Sequence, residues 1–107
     1  MLKISQNDQP EVEVFDGVVR RTLGGGRDLL MARFEYKKGS KVPPHTHSYE
    51  QVTTVIKGEQ KIIIEAEKGT TEFKVKAGET YVVPANFQHQ QVSLRESVTI
   101  DAWSLVP

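Results

Sequence analysis

The chain has 107 residues, enough for one domain with a buried core and too few for two. Lys+Arg and Asp+Glu each total 14, so a formal net charge of zero gives no electrostatic basis for binding nucleic acid or an anionic membrane. With no cysteine, no signal-peptide run at the N-terminus and no apolar stretch near the roughly twenty residues a membrane helix needs, a soluble cytoplasmic protein is expected.

Nearly every segment reads as strand. Val12 and Val14 open the first, and Val18 to Leu23 continue it across the Asp16-Gly17 turn. Gly24-Gly25-Gly26 reads as a hairpin loop and not a phosphate loop, because Leu29 to Tyr36 behind it is strand and not helix. Pro43-Pro44 cannot sit inside a central strand and is expected to mark the start of one. Gln51 to Ile56 passes through Lys57-Gly58-Glu59 into Gln60 to Ala66, a hairpin. Thr71 to Lys76, Tyr81 to Val83, Gln88 to Val92 and Val98 to Leu105 follow, with Pro84 expected to repeat the role of the earlier prolines. No window shows helical periodicity, so the fold class is all-β, a sandwich or barrel in a single domain over residues 1–107.

All three histidines fall in two short segments. The first runs from Gly39 through His45, His47 and Gln51 to Gly58; the second runs from Gly78 through Pro84 and Asn86 to His89. Neutral imidazole is the commonest side-chain ligand for transition metals. Two histidines at i and i+2 share one face of a strand, and a third from a distant strand requires the fold to close around the site. A lone histidine is more often solvent-facing or a satisfied core residue; this cluster reads as a metal site. His45, His47, Gln51 and His89 are the candidate ligands. Glu50 competes with Gln51 as the better donor chemically, but Gln51 shares parity with Thr53 and Val55.

The spacing resembles the cupin superfamily, whose motifs are written G-x5-H-x-H-x3,4-E-x6-G and G-x5-P-x-G-x2-H-x3-N. Gly39, His45, His47, Gly58, Gly78, Pro84 and His89 match. Gln51 stands at the glutamate, Asn86 at the glycine and Ser93 at the final asparagine. The resemblance implies a jelly-roll barrel of two antiparallel sheets that binds one divalent transition metal per chain (Zn, Ni, Mn or Fe). A glutamine in place of glutamate leaves the cation its full charge, which favours Lewis-acid chemistry and anionic ligands.

The string His45-Thr46-His47-Ser48-Tyr49-Glu50-Gln51 is also similar to the small single-domain cupins of pectin degradation. Those use a glutamine as fourth ligand and convert unsaturated monouronates to linear ketouronates. They carry an aspartate on the last strand, matched here by Asp101-Ala102-Trp103-Ser104. The chain departs from them in lacking the terminal arginine and in having Thr53 at the place of a second glutamine. The resemblance thus implies an isomerase or tautomerase acting on a small sugar acid or ketoacid. A non-catalytic ligand-binding cupin and a metal-dependent dioxygenase are the alternatives.

Asp101 on an apolar strand is costly to bury unpaired, which makes it the candidate acid/base if it faces inward; a water-facing aspartate fits the sequence equally. Gln91 shares parity with His89 and is a candidate substrate contact. Trp103 is another, although core packing is the commoner use of tryptophan. Arg33 and Arg20 are each able to clamp a carboxylate or to be surface charges. Phe34, Tyr36, Tyr81 and Phe87 read as core. The expected partner is a small anionic molecule, with no nucleic acid and no membrane. A homodimer is expected from edge pairing through the β-rich segment Glu11 to Leu23.

Overall fold

Side-chain alternation turns the β-branched runs into strands with one buried face. In β5 (Gln51–Lys57) Gln51, Thr53 and Val55 are buried while Val52 and Ile56 are exposed. The computed structural model describes residues 3–105. Met1, Leu2, Val106 and Pro107, and with the last two the expected departure at the chain end, lie outside the described residues. The other strands are β1 (Glu11–Phe15), β2 (Val18–Gly25), β3 (Leu29–Tyr36), β4 (Lys41–His45), β6 (Glu59–Ala66), β7 (Gly69–Lys76), β8 (Thr80–Val83), β9 (Gln88–Ser93) and β10 (Ser97–Ser104). A short 3-10 turn, Gln6–Asp8, which the sequence reading did not anticipate, precedes them with Ser5 as its cap.

Two antiparallel sheets face one another. The larger has the order β1-β2-β3-β10-β5-β8 and the smaller β4-β9-β6-β7. The last strand enters the middle of the larger sheet, so Asp101 sits between Ala32 and Thr53, and Trp103 between Leu30 and Gln51. That insertion carries the C-terminal aspartate into the barrel. β1 is an edge of the larger sheet, the edge at which pairing between two copies is expected. Among the described residues no helix is long and apolar enough to cross a membrane.

Pro43 and Pro44 lie within β4 itself and not at its start. β4 is an edge strand whose register against β9 shifts between Val42 and His45. On such an edge a missing N–H breaks no ladder bond. β2 and β3 form the expected hairpin, but Gly24 and Gly25 lie within β2, paired with Met31 and Leu30, and only Gly26 enters the connection, its N–H donating to the Leu29 carbonyl at 2.8 Å. Asn86, at the motif's glycine position, takes a positive φ of 69°, a conformation asparagine tolerates.

The interior is layered by polarity. One apolar cluster (Val55, Ile62, Ile64, Val75, Tyr81, Val83) has Phe73 and Phe87 packed against it. A second (Val18, Tyr36, Val42) takes Val14 and Phe34. Gln51, Thr53, Gln91, Thr99 and Asp101 are also buried. Buried polar groups persist only when hydrogen-bonded or otherwise engaged, so this set marks where the fold gives up apolar packing.

Gly58 shows how tightly the β5–β6 turn is built. Its φ is +88°, and a Cβ there would collide with the Glu96 carbonyl oxygen, Ser97 Oγ and, at 2.8 Å, Ser97 Cα. Gly58→Ala is expected to destabilise the protein by about 2 kcal/mol or more, since both strain and clash must be relieved. A urea midpoint giving a loss below about 0.5 kcal/mol would show that the turn relaxes freely.

Candidate metal centre

The four candidate ligands come from both sheets. His45 ends β4 and is the register partner of His89 on β9, while His47 follows β4 and Gln51 opens β5. The donor nitrogens of His45, His47 and His89 lie within 4.8 Å of one another. Each ring is oriented the same way. His45 Nδ1 is 2.9 Å from the Pro43 carbonyl, His47 Nδ1 is 2.7 Å from that of Tyr49, and His89 Nδ1 is 3.0 Å from that of Phe87. A carbonyl only accepts, so each Nδ1 carries the hydrogen and each neutral ring presents a bare Nε2. His89 Nε2 is buried and has no hydrogen-bond partner among the described residues. This is the arrangement metal-ligating histidines adopt, with the distal nitrogen held by the protein.

Gln51 makes the need for a cation sharper. Trp103 Nε1–H donates to Gln51 Oε1 at 3.1 Å, and an indole can only donate. Gln51 Nε2 donates to Thr53 Oγ1 at 2.9 Å and to Asp101 Oδ2 at 3.1 Å. The amide orientation is therefore fixed. Its oxygen lies 3.0 Å from His47 Nε2, lone pair against lone pair in the neutral ring. A proton or a metal ion must answer that pair. Two donors held about 2.1 Å from one cation and about 90° apart lie about 3 Å from each other, so the spacing suits a shared metal. One cation would also serve the neighbouring nitrogens of His45 and His89. The donor set fits a divalent transition metal.

Behind Gln51 lies a hydrogen-bonded chain. Asp101 accepts from Thr53 at 3.0 Å and from Thr99 at 2.7 Å as well as from Gln51, and the Tyr36 hydroxyl meets Thr99 at 3.1 Å. Burial pushes the Asp101 carboxyl up to about 6, against the opposing pull of the Thr99 and Thr53 hydroxyls. Burial pushes His89 down to about 4, reinforced by the charges of His45 and His47 and opposed by the Phe87 carbonyl. Tyr36 and Tyr81 are held well above the usual phenol range by burial and then by Asp101, so both stay neutral donors. Tyr81 donates to Gln91 at 3.1 Å.

The structure brings Asp101, Gln91 and Trp103 to the histidines. They line a chamber of about 90 Å³ together with His45, Gln51 and His89. Gln51 is 6% exposed, whereas Glu50 is exposed outside the strand. Arg33 is not brought there. It alternates with the inward Ala32 and Phe34, so it lies on the outer face of β3, paired with Glu35, beside a separate cavity that Lys57 also lines. Arg20, by contrast, is the register partner of Phe34. Three residues with a part in the site were not singled out from the sequence for it. Tyr49 stacks on His47 with centroids 4.3 Å apart and planes at 4°, and Thr53 and Thr99 hold Asp101. Strand parity with Gln51 and Asp101 was the available signal for the threonines.

A double-sheet barrel with three converging imidazoles from the Gly-His-His and Pro-His segments defines the cupins. The family description "Cupin" matches residues 4–103, and the chain belongs to the cupin family. Among characterised relatives, the pectin degradation protein KdgF of Dickeya dadantii (strain 3937) is 34% identical over 100 residues, covering 92% of this chain and 87% of that protein. Two solved structures share the fold. An RmlC-like cupin from Shewanella frigidimarina NCIMB 400 superposes with a TM-score of 0.87 at 22% identity, covering 99% of this chain and 92% of the other. KdgF from a Halomonas species gives 0.83 at 23% identity, covering 96% and 92%.

Proposed function

We propose that the chain is a metal-dependent isomerase that opens the ring of an unsaturated monouronate to its linear keto form. The observation that carries this reading is the coupling of the two halves of the site: one Gln51 amide offers its oxygen to the histidine cluster and its nitrogen to Asp101. The likeness to KdgF supplies the substrate class. His45, His47, His89 and Gln51 would hold the metal, which supplies Lewis-acid polarisation of a bound hydroxyl or carbonyl.

The chemistry asked of the protein is then a proton shuttle. The anomeric hydroxyl loses its proton as the bond from the anomeric carbon to the ring oxygen breaks, giving an aldehyde and an enolate. The enolate takes a proton on its alkene carbon and becomes a ketone. One proton leaves and one returns, so the formula is unchanged and no redox partner is needed. Asp101 lines the chamber and has a carboxyl lifted to about 6, which suits it to take and return that proton near neutral pH. Gln51 holds it in place; Trp103 closes the wall. A specific observation favours a second reading, a non-catalytic sugar-acid-binding cupin: all of Asp101's hydrogen bonds go to residues of the barrel itself. Incubating metal-loaded protein with an unsaturated monouronate and following it by NMR tests the choice. Appearance of the linear ketouronate, lost on chelation, supports the isomerase; unchanged substrate that binds the protein favours the binding module.

Gln51→Glu probes the coupling. It adds a negative charge to the donor set and should tighten metal binding while weakening simple α-hydroxy acids. It also places a second carboxylate beside Asp101, so the two would share a proton and Asp101 would be held protonated at higher pH, slowing turnover. Chelator competition and α-hydroxy acid titration would check this. Unchanged values for both would place Gln51 outside the metal's coordination sphere.

A further inference from the structure

The chamber around the histidines, about 90 Å³, is far smaller than the roughly 300–1,000 Å³ of sites that enclose a whole small molecule. It admits the reacting end of a sugar acid and leaves the rest outside. A second cleft of about 140 Å³ adjoins it, with Phe34 and Trp103 lining both. Those two rings meet edge-on with centroids 6.0 Å apart and form the wall between them. Tyr49, stacked on His47, also lines the cleft, as do Leu30 and Arg20.

Arg20 is the unusual member. Arg21, Arg27, Arg33 and Arg95 each reach a carboxylate, on Glu11, Asp28, Glu35 and Glu59. Arg20 makes no ion pair or hydrogen bond among the described residues, yet it is half-buried on the inward side of β2. Among the described residues no carboxylate lines its cleft. A guanidinium set among aromatic and aliphatic walls without a counter-ion is an anion-binding group, suited by its planar fork to a carboxylate.

We propose that Arg20 and the Trp103–Tyr49 cleft form the carboxylate subsite of the substrate, so that a sugar acid lies with its acid group on Arg20 and its reacting carbon in the histidine chamber. This deepens the reading of the site as one for uronates and rests on it. The aromatic walls exclude water and strengthen the ion contact, while their faces suit the apolar side of a sugar ring.

The sole tryptophan of the chain, Trp103, lines this cleft, so its fluorescence reports occupancy. Metal-loaded parent protein is titrated with galacturonate, which lacks the double bond and is not turned over, and with galactose as the neutral control. Parent protein should bind the acid at least about tenfold more tightly than the neutral sugar. Arg20→Gln should weaken the acid by roughly 10- to 100-fold and leave galactose unchanged. Arg20→Lys should fall between them, and metal content should be equal in all three. Equal affinities in parent and both variants, or a parent that binds acid and neutral sugar alike, would overturn the subsite. With an unsaturated uronate the same variants should raise KM and leave kcat within a few-fold. A parent that binds galacturonate through Arg20 but turns nothing over would refute the isomerase and keep the subsite.

Discussion

Asp101→Asn is expected to retain its metal and to lose turnover of an unsaturated uronate by roughly 10²-fold or more. The substitution keeps the side chain's shape. An amide oxygen in place of Oδ2 still accepts from Gln51 and Thr53, while the amide nitrogen meets Thr99, whose hydroxyl must turn to accept. What disappears is the titrating proton. A second readout separates chemistry from packing. The folded Asp101 carboxyl, raised to about 6, contributes stability that is full below its ordinary value near 3.8 and is lost as pH rises through 6. His89 acts in the opposite sense. With a folded value near 4 against an ordinary 6.5, its contribution is full above about 6.5 and is lost as pH falls toward 4. In the metal-free parent the two slopes oppose one another between about 4 and 6, so Tm should change little there. In metal-free Asp101→Asn only the histidine slope remains, and Tm should fall as pH drops through that window. Full activity in the variant would remove Asp101 from the chemistry, and an unchanged Tm profile would show that its proton is not held as the structure implies.

The double change His45→Ala/His47→Ala should abolish metal binding and leave the barrel folded. Both rings are only half-buried, His45 at the end of an edge strand and His47 beyond it, and neither belongs to the apolar clusters. With two of three imidazoles gone, His89 and a neutral amide cannot hold a divalent ion against water. A metal present at a thousandfold excess over its Kd stabilises the folded state by about 4 kcal/mol, so chelation should lower the parent's Tm by several degrees. The double variant should show no response to chelator, and its far-UV spectrum should match that of the metal-free parent. Metal at one equivalent in the variant would mean that the ligands are elsewhere.

Much of this site was legible from residue spacing. The histidine positions, the parity that favours Gln51 over Glu50 and the aspartate on the last strand all follow from the period of a β-strand. Parity also separates Arg33 from the inward side of β3, since it alternates with Phe34, but only the sheet order shows that Arg20 opposes Phe34 on that side. Proline chemistry keeps Pro43-Pro44 out of a central strand, but the strand start expected there is instead the interior of an edge strand that continues through them to His45. The double engagement of Gln51 was not legible, because Trp103 and Asp101 reach it from fifty or more positions away along the chain, through the insertion of β10 beside β5. Long-range register of that kind leaves no local signal.

The central claim is that His45, His47, His89 and Gln51 share one divalent cation. Anomalous diffraction from crystals of untagged, metal-loaded protein tests it directly. A single peak about 2.1 Å from the three Nε2 atoms and from Gln51 Oε1 is the predicted result. A peak bound at other residues, or one that leaves Gln51 Oε1 on His47 with no metal between, would contradict it.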